Sequence, residues 1–243
     1  MYNDFAYIYD KLVFDIDYDF YIEQIIRKAK ENNIQTNRIL EFGVGTGNLA
    51  KKLCKYSNEY VGIDLSIDML AIANEKISKD DNIELLACDI NDYDTDNKFN
   101  LAVSTLDTIN YILEEDELLK IFQKINNLLK DDGAFIFDIN SENKLIDILG
   151  HNTYVYEYDN IFYTWQNFYD ENEKIVDFLL DFFIKEDGVY HRITEEQSEK
   201  VYPLEKILTL LKQSGFNGFQ YIDFDTGDKI NENTQRILII AIK

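Results

Sequence analysis

Basic residues are scarce: 24 Lys and Arg face 46 Asp and Glu, for a formal net charge of -22. A broad nucleic-acid footprint needs clustered cations, and no run of this sequence supplies them. Cysteine occurs only at Cys54 and Cys88, which make neither a disulfide framework nor a zinc spacing. Histidine occurs only at His151 and His191, too few and too isolated for a metal cluster. Also missing are a bilayer-spanning apolar run, a charged-then-apolar leader, internal repeats and low-complexity linkers. These absences predict a cytoplasmic protein with no metal, no nucleic-acid partner and no membrane partner.

The composition that remains is globular, 46% hydrophobic and 14% aromatic over 243 residues, enough to bury a full core. The chain is organised around Ile39-Leu40-Glu41-Phe42-Gly43-Val44-Gly45-Thr46-Gly47-Asn48-Leu49-Ala50. An apolar run leads to an acid, then to three glycines at alternate positions, then to a helical pattern. Such a loop turns sharply between strand and helix and lets a ligand approach the backbone.

Ahead of the loop, Tyr2, Phe5, Tyr9 and Leu12 recur about once per helical turn, and Asp15, Asp17 and Asp19 follow. Ile22, Ile25, Ile26 and Ala29 stripe a helix from about Tyr18 to Asn32. Short apolar strands are predicted at 39–42, 60–63, 83–87, 101–103 and 134–137, with polar residues at their ends: Glu41, Asp64, Asp89, Asp107 and Asp138. Leu49, Ala50 and Leu53 belong to a first crossover helix. Ser66 caps another, and Leu118 to Leu129 supply a third that stops before Asp132-Gly133. Alternating strands and helices give an α/β fold, a parallel sheet with helices on both faces and ligands outside the strands' carboxyl ends.

After Gly150 the pattern changes. Four segments, 154–158, 161–169, 175–184 and 189–202, are split by turn signals such as Asp170-Glu171-Asn172 and Glu186-Asp187-Gly188, as in an antiparallel meander. A helix after Pro203 and strands at 219–224 and 237–242 complete the main sheet. The expected organisation is one domain from residues 1–149 and 203–243, with a helical lid at 1–33 and a β insert at 150–202.

A P-loop would need Gly-Lys-Ser/Thr, but Gly47 is followed by Asn48-Leu49. The dinucleotide pattern would need glycine where Asn48 stands, which weakens a nicotinamide oxidoreductase reading. Glu41-x-Gly43-x-Gly45-x-Gly47 instead resembles motif I of the class I S-adenosylmethionine-dependent methyltransferases. The resemblance implies a seven-stranded Rossmann-like sheet with an antiparallel last strand, S-adenosyl-L-methionine as methyl donor and S-adenosyl-L-homocysteine as product. It implies a donor site of Glu41, Gly43, Gly45 and Gly47, Asp64 on the ribose with Leu65 and Met69 beside it, Asp89 and Ile90 at the adenine, and Leu106 by the amino-acid end. The chemistry agrees: an acid about 20 positions past such a loop can accept two ribose hydroxyls. A carboxylate can accept from an exocyclic amine, and the Gly45 and Gly47 amides can meet the donor's carboxylate at a helix N-terminus.

Phe5 to Asp10, Leu106 to Tyr111 and the insert resemble one subgroup of small-molecule methyltransferases, which includes enzymes methylating the amino group of nucleotide-linked sugars. The likeness covers the whole chain and leaves the acceptor open, at nitrogen or oxygen. Methyl transfer is an in-line displacement; an amine needs orientation, a hydroxyl needs a base. Tyr9 matches the subgroup's lid tyrosine, or docks an amphipathic helix. Asp107 and Asn110 fall where acceptor contacts are expected, or cap a short helix. His191 is a base or an exposed strand residue, and Glu195, Glu196 and Gln197 are polar groups at the mouth or a solvated edge. The aromatics from Tyr154 to Tyr169 wall a cleft, fill the insert's buried face or form a homodimer surface. Protein or RNA methylation and a non-enzymatic donor-binding module are the other readings.

Overall fold

The computed structural model describes residues 4–13, 16–78 and 82–243. The expectations for Tyr2, for Asp15 and for the Phe5 side chain fall outside what is described. Strands Arg38–Phe42 (β1), Glu59–Asp64 (β2), Ile83–Ala87 (β3), Phe99–Ser104 (β4) and Leu129–Asn140 (β5) pair in parallel. Four strands of a second sheet follow, Thr153–Tyr158 (β6), Ile161–Asp170 (β7), Ile175–Glu186 (β8) and Val189–Lys200 (β9), each antiparallel to the next. Gly218–Asp223 (β10) and Arg236–Ile242 (β11) return to the main sheet, whose order is β10-β11-β5-β4-β1-β2-β3. β11 runs antiparallel to both β5 and β10.

Side chains alternate across a strand, so apolar strands need cover on both faces. Ile39, Leu101, Val103 and Ile136 pack with helix Tyr18–Glu31 (α2), and Leu40, Ala102, Phe135 and Phe137 pack on the other face. That face is covered by Glu115–Leu128 (α5) and Leu204–Gln213 (α6). The remaining helices are Asp4–Leu12 (α1), Ala50–Leu53 (α3) and Ile67–Lys76 (α4), the last capped by Ser66 Oγ accepting from the Met69 amide at 3.2 Å.

Two segments depart from the sequence pattern. The first crossover helix is a single turn, α3, continued by a 3-10 turn at Cys54–Tyr56, although Leu49, Ala50 and Leu53 are buried as their spacing requires. The helix stops before Asp132-Gly133 as its pattern requires, but β5 begins at once, at Leu129, so Asp132-Gly133 lies within it. Its register against β4 slips between Phe99 and Leu101, a bulge that absorbs the extra residues.

The second sheet closes against the main domain at two places. Val176 and Phe178 pack with Leu145 and Leu149 of the π-helical segment Asn143–Leu149. Ile161 and Phe182 pack with Ile8 of α1, which is 1% exposed. α1 is therefore a strap packed between the insert and α4, with Ile8 seated on the insert and Met69 beside it.

Ile8→Ala removes the buried side chain that holds α1 on the insert, a deletion worth about 2–5 kcal/mol where it cannot be refilled. Among the described side chains of α1 only Ala6 is buried as deeply, so the loss is expected as at least tenfold faster amide exchange within residues 4–12, with the urea midpoint of the main sheet nearly unchanged. Unchanged exchange in α1 would show that Ile8 does not hold the strap.

Candidate active site

Both positions at the carboxyl end of β1 that matter most are glycines for visible reasons. Gly45 has a φ of +53° and nothing within 4 Å of where a Cβ would stand, so its open side is free for a ligand. At Gly43 a Cβ would lie 2.5 Å from the Thr108 methyl, so this loop and the loop after β4 touch. Glu41 is buried beneath them and accepts from the Tyr60 hydroxyl at 2.6 Å. Burial first, then the Asp64 charge, push its pKa up to about 8 against the Tyr60 hydrogen bond, so it is protonated at neutral pH.

Asp64, at the end of β2, accepts from the Gly45 amide at 2.7 Å and from the Ser66 amide at 2.8 Å. The Gly47 amide donates to Val44 O at 3.0 Å. The Gly45 and Gly47 amides, expected to meet the donor's carboxylate, are both engaged within the protein here, and α3 is a single turn. Leu65 is 71% exposed directly beside Asp64, and Ile67 is exposed two residues on. Asp89 accepts from the Asn91 amide at 2.8 Å at the end of β3, Ile90 is buried, and Met69 lies against the Ile8 cluster.

Asn48, the residue that broke the dinucleotide spacing, joins the loop to three helices. Its amide nitrogen donates to Asp10 of α1 at 2.9 Å and to the Tyr18 hydroxyl of α2 at 3.2 Å, and its oxygen accepts from Lys76 of α4 at 2.7 Å. Asp10 also accepts from Thr46 Oγ1 at 2.6 Å and pairs with Lys76 at 2.5 Å. The strap is therefore fastened to the glycine loop at its polar end.

Beyond β4, Leu106 and Asp107 both have φ of 57°, a conformation that side chains disfavour. Their amides donate to the two oxygens of the buried Asp138 carboxylate at 2.9 and 3.1 Å. Arg236, the first residue of β11, bridges Asp138 and Asp107 and reaches Asp107 Oδ1 at 2.7 Å. Burial opposes ionisation of Asp107, but Arg236 and then Lys144 outweigh it and hold its carboxyl below the usual range. The Tyr9 hydroxyl has its pKa raised by burial and then by the Tyr18, Asp107 and Asp10 charges, and its ring packs against the Ile8 cluster. Tyr111 donates across to Gln197 of β9 at 3.1 Å.

The structure thus groups Tyr9, Asp107 and Leu106 beside the glycine loop. It corrects two other expectations. Asn110 is buried and gives both ends of its amide to backbone, accepting from the Asn140 amide at 3.0 Å and donating to Lys200 O at 3.0 Å, so it is a clamp between β5 and β9. His191 is exposed in a groove bordered by Ile8, Ile72 and Ile193, eight residues along β9 from Glu199, or roughly 27 Å at strand spacing. Of the insert's other polar groups, Glu195 is half-buried and Glu196 exposed. Arg236, Glu199, Asn140 and Lys144 went unnoticed in the sequence. The signal for Arg236 was its place as the cation opening an antiparallel strand opposite Asn140.

A glycine loop with open space at Gly45, an acid on its amide and an acidic, tyrosine-lined loop beside it define a nucleoside-binding α/β enzyme. A family model described as a methyltransferase domain matches residues 39–133. A protein of Geobacillus sp. (strain WCH70) described as a methyltransferase is 31% identical, over 100% of this chain and 99% of that relative. YqeM of Bacillus subtilis (strain 168), described likewise, is 30% identical over 100% of this chain and 97% of its own. Among solved structures, an S-adenosylmethionine-dependent methyltransferase from Clostridium acetobutylicum ATCC 824 superposes with a TM-score of 0.89 at 37% identity, over 99% of this chain and 98% of that one. The sugar N-methyltransferase KedS8 from Streptoalloteichus sp ATCC 53650 shares the fold, with a TM-score of 0.80 at 17% identity over 98% and 92% of the two chains. The chain belongs to the S-adenosylmethionine-dependent methyltransferases. Among the described residues no helix is long and apolar enough to cross a membrane, and no group of three His, Cys, Asp or Glu could hold a metal ion.

Glu41→Gln tests the protonated buried acid. The folded pKa of about 8 lies above the ordinary 4.5, so the stability it contributes is full below pH 4.5 and lost as pH rises through 8. The urea stability of the parent is therefore expected to fall relative to Glu41→Gln between pH 5 and 8. A difference independent of pH would contradict the assignment.

Proposed function

We propose that this methyltransferase acts on a small-molecule acceptor, at nitrogen or oxygen, with residues 1–149 and 203–243 binding the donor and 150–202 covering the acceptor. The carrying observation is enclosure: α1 is fixed to the insert by Ile8 and to the glycine loop by Asp10, and Asp107, half-buried, is held by Arg236 in the neighbouring loop. A folded protein or an RNA helix would have to displace that strap to reach Asp107, and the charge of -22 disfavours RNA further. The full-length likeness to KedS8 is consistent with this architecture.

The residues present fit the methyl donor. Asp64 would exchange the Gly45 amide for ribose hydroxyls, Leu65 and Ile67 would pack the adenine, Asp89 and Ile90 would edge it, and the open side of Gly45 would admit the amino-acid end. Glu41, neutral and held by Tyr60, would support the loop from below. Bound there, S-adenosyl-L-methionine supplies an electrophilic methyl on a sulfonium. The protein's share is alignment and exclusion of water, which together account for much of the acceleration of a displacement.

Incubation with donor carrying a tritiated methyl and a cell extract, followed by separation at about 3 kDa, tests this reading; the cut-off is chosen roughly tenfold below an ordinary domain. Label is expected in the small-molecule fraction. Label confined to protein or RNA would overturn it.

A further inference from the structure

Glu199 lies on β9 of the insert, yet it is only 3% exposed and its carboxyl is turned into the main domain. Asn140 Nδ2 donates to its Oε2 at 2.8 Å, and the Asp107 charge is close enough to act on the carboxyl. Lys144 donates to Asn140 Oδ1 at 2.8 Å, Arg236 pairs with Asp107 at 2.7 Å, and Tyr111 bonds Gln197 two residues before Glu199. The junction is thus built from β5, the π-helical segment, β11, the loop after β4 and the insert. Asn110 locks the same junction through the backbone of Asn140 and Lys200.

Two neighbouring carboxyls in one largely enclosed cluster are most stable with one proton between them. Arg236 sits on Asp107, so the charge belongs to Asp107 and the proton to Glu199. Burial first, then the Asp107 charge, raise Glu199 well above the carboxylate range, with Lys144 and Arg236 acting against this. Asp107 is also one residue from Thr108, which touches Gly43 of the donor loop. The insert therefore does more than roof the site.

We propose that Glu199 is a positioning residue whose proton, donated to Asp107, keeps that carboxylate aimed at the acceptor beside the donor loop. The proposal rests on the small-molecule reading above and narrows it: the acceptor must bring an N–H or O–H for Asp107 to receive. In the transfer the acceptor atom's lone pair forms the bond to the methyl carbon while the carbon–sulfur bond breaks and its pair stays on sulfur. Positive charge thereby moves from sulfur to the acceptor atom, next to the Asp107 carboxylate, where a fixed opposite charge favours the transition state. The proton the acceptor sheds passes by way of that carboxylate to water.

The test follows initial rates of label incorporation into the small-molecule fraction of the extract for the full chain and for Glu199→Gln, Glu199→Ala, Asp107→Asn and the Glu199→Ala/Asp107→Asn double variant, with S-adenosyl-L-homocysteine affinity measured by calorimetry on each. Glu199→Ala is expected to lose at least tenfold in rate and Glu199→Gln, whose amide still donates, to stay within about threefold. On the Asp107→Asn background Glu199→Ala is expected to cost less than twofold, because the two act as a unit. Homocysteine-product affinity should remain within threefold throughout, which shows that each variant is folded. In the parent the rate should fall at alkaline pH as Glu199 ionises against Asp107, while Glu199→Gln stays flat. Additive losses, or equal pH profiles, would overturn the proposal while leaving the small-molecule reading intact; label confined to the macromolecular fraction removes both.

Discussion

One buried carboxylate sets the geometry of the reacting side. Asp138 takes the amides of Leu106 and Asp107, two consecutive residues in the left-handed region, and is tied to Arg236. Each such residue costs on the order of 1–3 kcal/mol. A hydrogen bond to a charged acceptor returns roughly 1.5–3 kcal/mol, so the two effects offset one another. The turn exists because Asp138 is there, and it turns Asp107 toward the donor loop. Arg236 then fixes the charge of Asp107, and β11 must be antiparallel to bring Arg236 to that end of the sheet.

A second constraint is that the site is assembled from pieces remote in sequence. The glycine loop, α1, α2 and α4 meet at Asn48 and Asp10; the loop after β4, β5, β9 and β11 meet around Asp107. α1 bears on both groups, since the Asp107 charge acts on Tyr9 while its neighbour Asp10 grips Thr46.

Much of this was legible in the residue pattern. Apolar runs ending in acids fixed the strand positions, because a parallel sheet covered on both faces leaves polar groups only at its ends. The four-stranded insert followed from regular turn signals. Two features departed from the pattern for physical reasons: the fifth strand starts at Leu129, ahead of the apolar run at 134–137, with a bulge taking up the extra residues, and three apolar positions implied a crossover helix that proves to be one turn. On the acceptor side, Asn110 and His191 had the right residue type, but only packing could show that one is spent on backbone and the other lies far along β9. Arg236, Glu199 and Asn140 were illegible because their meaning comes from long-range register and from an insert folding back, neither of which leaves a local spacing.

In the proposed function the donor's sulfur would lie beside Asp107. A crystal structure with S-adenosyl-L-homocysteine tests it most directly. Ribose hydroxyls on Asp64, the sulfur between Gly45 and Asp107, and an intact Asp107–Arg236 pair are the expected result. A ribose away from Asp64, or a sulfur facing away from Asp107, would contradict it.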